Sequence, residues 1–401
     1  MAVAIRTGSS VPGNDPLPPS TAPSSPKVAP IPTSFGFLST YPPTQCGLAT
    51  FTASLRSEIA ACGHGTGVAR VLEHPAPTDP SILPVVHDDP GALIRGAAFL
   101  DRYDVAVVQH EFGIYAGPDG DSVVELLRRL SIPVIVVLHT VLTAPTAHQR
   151  QVLEAVASRA NAVVTMTETA RRRLAEHYDV DPTKVTVIPH GAPGAGGVAH
   201  VGRRDRPLIL TWGLLGPGKG IERVIDALPS LSDLHPRYLV VGETHPRVLE
   251  REGDRYRHGL IARAARLGVA DMVAFDDHYL DLDALRSVAA TADVVVLPYD
   301  SREQVTSGVL IEAVTAGRPV IATAFPHAVE LLGGGAGIVV DHDDPGALSR
   351  ALRDVLSVPG LADRMGRHAA LLAPGLLWPA VAARYVALAQ TLTGATEVAV
   401  A

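Results

Sequence analysis

Residues 294–323 read VVVLPYDSREQVTSGVLIEAVTAGRPVIAT, and this stretch limits the fold more sharply than any property of the whole chain. Four apolar, β-branched residues at 294–297 are too few for a helix and too uniformly apolar for a half-exposed strand. They suit a parallel strand buried on both faces, and Pro298 stops it. A polar loop follows at 299–306. Ser307-Gly308 then opens a run of good helix formers that closes at Ala316-Gly317, and Pro319-Val320-Ile321-Ala322 begins another strand. A strand, a loop at its carboxyl end, a helix and a second strand of the same character predict an α/β domain with a parallel sheet.

A Ser-Gly pair at the start of such a helix makes a site for a phosphorylated ligand. The first backbone N–H groups of the helix have no partner within it, the dipole is positive there, and Gly308 lets an anion approach the backbone. Glu312 lies about one turn further on and could accept two hydrogen bonds from a ribose diol. A purely structural alternative is equally open on these residues alone, with Ser307 only an N-cap and Glu312 only a solvated charge.

The unit recurs. Residues 34–39 predict a strand leading into Tyr41-Pro42-Pro43-Thr44-Gln45-Cys46-Gly47, and 48–60 a helix that Gly47 opens. Strands at 105–108 and 134–138 end in Gln109-His110-Glu111 and in His139-Thr140. Carboxyl ends of parallel strands open on one edge, so His110, Glu111 and His139 are expected to share a crevice with Gly47. Further on, Thr211-Trp212-Gly213-Leu214-Leu215-Gly216-Pro217-Gly218-Lys219-Gly220 places a lysine in a glycine loop between strand and helix. That is an anion cradle, although not with the spacing of a Walker or dinucleotide motif. Strands near 238–241 and 272–275 complete the series. Cys46 lacks a neighbouring histidine to activate it and reads as a packed thiol. The arginines 171–173 read as a solvated helix face.

Composition sets the remaining bounds. The 401 residues, 47% hydrophobic and 19% charged, suffice for two α/β domains. A net charge of −7 excludes a nucleic-acid backbone as partner, and two cysteines form neither a disulfide framework nor a zinc set. Without a signal-peptide core at the N-terminus, the expected location is cytoplasmic. The Pro- and Ser-rich residues 1–32 predict a disordered tail. A first domain is expected over 33–200, a second over 201–375, with a Gly- and Ala-rich linker near 192–206, and a terminal helix over 376–401 that returns to the first domain. Pro374, Pro379 and Arg384 argue against a membrane span in this region.

Several of these motifs resemble glycosyltransferase family 4, retaining enzymes of the GT-B fold. Residues 304–320 resemble its Glu-x7-Glu signature, with Glu312 at the second Glu and Gln304, neighboured by Glu303, at the first. Residues 213–220 resemble its Gly-Arg-Leu-x-x-x-Lys-Gly motif, with Lys219 matched and Leu214 in place of the arginine. The first loop PPTQCGLATF, the QHEFGIY string and Ile188-Pro189-His190-Gly191 resemble further family motifs. The resemblance implies two Rossmann-like domains across a cleft and transfer of a hexosyl group, mannosyl or glucosyl, from a nucleoside-diphosphate sugar. That donor is a substrate, and no cofactor is implied.

By the same resemblance His110, Lys219 and Gln304 take part in catalysis. Gly47, Lys219, Glu303, Gln304, Ser307, Gly308, Val309 and Glu312 bind the donor. Asp276 and Tyr279 lie at the base, while Glu111 and His139, placed by the strand ends and not by the resemblance, are expected on the acceptor side of the cleft. The acceptor could be a saccharide, a lipid with peripheral membrane contact, or a small molecule. A metal is not expected, and the Asp pairs at 119/121 and 281/283 read as loop carboxylates. Two rivals remain open: a weakly catalytic nucleotide-sugar binding protein and a nucleotide-sugar epimerase.

Overall fold

The computed structural model describes residues 33–77, 79–194, 206–280 and 282–394. The expected tail, most of the linker and Asp281 lie outside the described residues.

Seven strands form the first sheet: β1 (Phe35–Ser39), β2 (Thr66–Leu72), β3 (Ile82–Val86), β4 (Val105–His110), β5 (Val134–Leu138), β6 (Ala162–Thr165) and β7 (Val185–Val187). Six form the second: β8 (Leu208–Trp212), β9 (Arg237–Val241), β10 (Val273–Asp276), β11 (Val294–Leu297), β12 (Val320–Thr323) and β13 (Gly337–Val340). All pairings are parallel, in the orders β3-β2-β1-β4-β5-β6-β7 and β10-β9-β8-β11-β12-β13. Both sheets therefore reverse direction once, between β1 and β4 and between β8 and β11. Parallel strands need crossovers, and helices fill them on both faces, so the central strands are sealed from water. Strands β4, β5, β8 and β11 are buried along their whole length.

Alternation sorts their side chains into separate cores. In the first domain Ala106, Val108 and Val136 face one layer, while Val105, Val107, Ile135 and Val137 face another together with Phe51. Each fully buried aliphatic side chain contributes about 1.5–3 kcal/mol, against about 1 kcal/mol or less for an exposed ion pair, so the sheets rather than the surface charges hold each domain.

The stretch expected to form the terminal helix holds one helix, Trp378–Thr393, and a break in the chain precedes it. Helix Leu361–Leu372 packs on the second domain, a short turn Ala373–Leu376 containing Pro374 and Gly375 breaks the chain, and helix Trp378–Thr393 crosses to the first. The crossing is made where Ala192 pairs with the other connection: its N–H donates to Leu376 O at 2.9 Å, and Trp378 N–H donates to Ala192 O at 3.0 Å. No helix of the described residues is long and apolar enough to cross a membrane.

Loop 299–306 of the second domain joins the two halves. Val305 is buried in the first domain's core, and its carbonyl accepts from Thr167 Oγ1 at 3.1 Å. Glu330 accepts from the Glu168 and Thr169 N–H groups, closing the exposed start of helix Glu168–His177.

Candidate active site

The carboxyl edges of the two sheets face each other across a cleft of about 640 Å3. On the second-domain side, helix Gly308–Thr315 points its N-terminus into this space. Ser307 caps it, its Oγ accepting from Leu310 N–H at 3.3 Å, while Ser307 N–H donates to His327 Nδ1 at 2.8 Å. The N–H groups of Gly308 and Val309 have no acceptor among the described residues, so two donors face the cleft. Glu312, four residues after Gly308, shares that helix face and accepts from Trp212 Nε1 at 2.9 Å. Burial pushes the Glu312 carboxyl up to about 7, against the opposing effect of the Trp212 bond.

Lys219 lies between Gly218 and Gly220 in the loop after β8. Gly220 has a φ of 64°, and a Cβ there would overlap the Pro298 carbonyl oxygen, so only glycine lets this loop rest on the end of β11. The Lys219 ammonium stands 4.6 Å from the centre of the Tyr299 ring, and no carboxylate pairs with it among the described residues. Gln304 also lines the cleft. Its amide nitrogen donates to Thr306 O at 3.1 Å.

The first-domain wall is built from Gly47, Phe51, Glu111, His139, Thr140 and His190, among others. Helix Gly47–Ala61 starts there, with Cys46 Sγ accepting from Ala49 N–H at 3.4 Å. Glu111 accepts from Phe112 N–H at 3.0 Å and from Thr140 Oγ1 at 2.5 Å, and burial raises its pKa despite both bonds. His139 Nε2 meets Gln109 Oε1 at 2.7 Å. Burial, then the His190 and His110 charges, lower the pKa of His139 to about 3, and burial lowers that of His190 to about 4. These rings are neutral at pH 7.

The structure brings most of the expected site residues to this one cleft, but three are placed differently. His110 does not line it. As the last residue of β4, it follows Ala106 and Val108 to the layer away from Phe51, where it is 1% exposed and neither ring nitrogen has a partner among the described residues. His139, one residue past β5, has the opposite parity and faces the cleft. Glu303 lines the rim, yet its carboxylate accepts from Thr143 Oγ1 and from Arg173 Nη1, both at 2.9 Å, and so ties the domains together. Asp276 turns away to His278, to which it bonds at 2.7 Å, and it is His278, Tyr279 and Leu280 that line the cleft.

Sequence reading missed Trp212, the last residue of β8, and His245, which caps helix Pro246–Glu252 in the loop after β9; both line the crevice. It also took Arg173 for part of a solvated face; among 171–173 this is the one that is buried, and it reaches the other domain. Asp119 and Asp121 pair with His148, away from the cleft.

Two family models match the chain, glycosyltransferase family 4 over residues 47–193 and glycosyl transferases group 1 over 199–371. A D-inositol 3-phosphate glycosyltransferase of Corynebacterium glutamicum is 30% identical over 294 residues, which are 66% of this chain and 68% of that protein. The chain belongs to glycosyltransferase family 4. The enzyme of the same name from Streptomyces scabiei is 33% identical to this family 4 chain over 241 residues, 55% of the chain and 51% of that protein. The chain thus spans about half the length of the first curated relatives it matches. Among solved structures, Anabaena HepE in complex with UDP and glucose superposes with a TM-score of 0.70 at 15% identity, over 90% of this family 4 chain and 100% of that one. The shared fold is GT-B.

Proposed function

We propose that this chain transfers a hexosyl group, mannosyl or glucosyl, from a nucleoside-diphosphate sugar to an acceptor hydroxyl held on the first-domain wall, with retention at the anomeric carbon. The observation that carries this reading is the grouping on one wall of two unclaimed N–H donors, Gly308 and Val309, with Lys219 and Glu312. Diphosphate oxygens suit the donors and the ammonium; a ribose diol suits the Glu312 oxygen that Trp212 leaves unused. Gln304 adjoins this group and is assigned the sugar. As the bond from the anomeric carbon to phosphate breaks, its electron pair leaves with the diphosphate. The acceptor oxygen bonds the same carbon from the same face, and its proton passes to the departing phosphate oxygen. Charge grows where Lys219 and the N–H pair already stand, which is the most effective place for fixed donors. The neutral histidines opposite impose no charge on the sugar.

The decisive experiment incubates the chain with a panel of nucleotide sugars and candidate acceptors and follows products by NMR. Release of nucleoside diphosphate with an axial-to-axial or equatorial-to-equatorial glycoside supports the proposal. An isomerised nucleotide sugar would show an epimerase, and binding without turnover a binding protein. Because Lys219 and the amides supply the compensating charge, turnover is expected to survive EDTA; loss on chelation with rescue by manganese would overturn that part of the reading.

A further inference from the structure

The family motif pairs an arginine with Lys219, and this chain has Leu214 there; the residues lining the cleft include no arginine. Arg173, Arg223 and Arg247 are engaged elsewhere, with Glu303, Asp300 and Glu73. A diphosphate held by one ammonium and two amides is left short of a donor on the side of Leu214.

His245 stands on that side. Loop 213–219 and the loop after β9 are bonded together, Leu215 N–H to Glu243 O and His245 N–H to Leu215 O, both at 2.8 Å. The His245 backbone is therefore locked one residue from Leu214, and its half-buried ring lines the cleft with Lys219. Its tautomer is fixed by a second contact. Arg247 N–H donates to His245 Nδ1 at 3.2 Å, so Nδ1 is an acceptor and the ring proton sits on Nε2. Burial, and then the Arg247 and Lys219 charges, hold its pKa below the ordinary histidine value, which keeps the ring a neutral donor at pH 7. The other cleft histidines are arranged otherwise, His278 being paired through Nδ1 with Asp276 at 2.7 Å. The His190 ring donates from Nδ1 to Gly191 O at 2.6 Å, which leaves Nε2 without a proton, and His139 Nε2 is committed to Gln109.

We propose that His245 is the missing donor of the diphosphate subsite, its Nε2–H bonding a phosphate oxygen where the family's arginine would. The inference rests on the nucleotide-sugar reading above and deepens it.

Two substitutions separate the two nitrogens. His245→Asn keeps an acceptor for Arg247 N–H, since asparagine is a good N-cap, but has nothing that reaches the Nε2 position; His245→Gln loses the cap and keeps an N–H near that position. Calorimetry of the full chain with UDP and with GDP is the test, melting temperatures serving as a check on folding. His245→Asn is expected to weaken the diphosphate that binds by about tenfold, the scale of one hydrogen bond to a charged group, with an unchanged melting temperature. His245→Gln is expected to bind nearly as the unaltered chain does. Unchanged binding by the Asn variant, or equal loss in both variants, overturns the proposal. If the unaltered chain binds neither nucleotide while remaining folded, the nucleotide-sugar reading itself falls, and this inference with it.

Discussion

The two domains open helices onto the cleft that begin alike and then diverge. Each starts with a glycine after a capping side chain in extended conformation, Cys46-Gly47 in the first domain and Ser307-Gly308 in the second, and each cap accepts from the amide three residues on. The fourth residue after the glycine differs. In the first helix it is Phe51, whose ring meets His139, His190 and Trp378 at 5.0–5.1 Å between centres. In the second it is Glu312, held by Trp212. Both termini leave their first two amides without an acceptor among the described residues, but one turn inward the first presents an aromatic assembly of neutral rings, whereas the second has a carboxylate and a lysine beside it. A helix N-terminus is thus only a potential anion site, and what stands one turn inward sets its use.

The comparison breaks most readily at Lys219, the cation that the first wall lacks. Lys219→Ala is expected to lower turnover by about a hundredfold or more, as for loss of a charge-stabilising donor; a near-normal rate would locate the working cation elsewhere. Next is the adjoining pair in loop 299–306. Gln304→Ala is expected to reduce kcat about tenfold with a smaller change in donor KM, if the proposed contact to the sugar tightens as charge develops. Glu303→Ala removes an interdomain tie, so its effect is expected to be a severalfold change in KM. The reverse ranking in steady-state kinetics would show that the sugar is held by Glu303 instead.

The two glycines offer a sharper contrast. A Cβ on Gly308 would lie 3.0 Å from His190, whereas one on Gly47 meets nothing within 4 Å. Gly308→Ala is therefore expected to raise donor KM severalfold. Gly47→Ala is expected to keep or slightly raise the melting temperature, since alanine restricts the unfolded chain. Kinetics of the Gly47 variant then report whether the diphosphate comes near the first helix at all.

The smallest effect concerns Glu312. With a folded pKa of about 7 above its ordinary 4.5, the native state holds the proton more firmly than the unfolded chain, so stability falls as pH rises between these values. Glu312→Gln is expected to melt a few degrees above the unaltered protein at about pH 8 and level with it at about pH 4. Parallel melting curves across this range would mean that the carboxyl is hydrated.

Local sequence did not mark β2 and β3, but it was enough for β1, β4, β5, β8, β9, β10, β11 and β12, their loops and the two glycine-opened helices. Each depends on a run of neighbours, whether β-branched residues that want a buried sheet or a glycine and a cap that start a helix. The carboxyl-edge rule then placed Gly47, Glu111 and His139 at one crevice, and the family resemblance set Lys219 and Glu312 across a cleft from them. Three features waited for the tertiary structure. His110 ends β4 and His139 follows β5, but the face that each presents depends on its parity relative to the helix layer, which separated them. Glu303 and Arg173 are 130 residues apart, and only the approach of the domains made a partner of an arginine that in sequence is one of three alike. The pairing of Ala192 with Leu376 and Trp378, where helix Trp378–Thr393 crosses to the first domain, is likewise a contact between residues far apart in sequence. Periodicity is a property of neighbours, whereas parity against a packed layer and contacts across a cleft are properties of the assembled molecule.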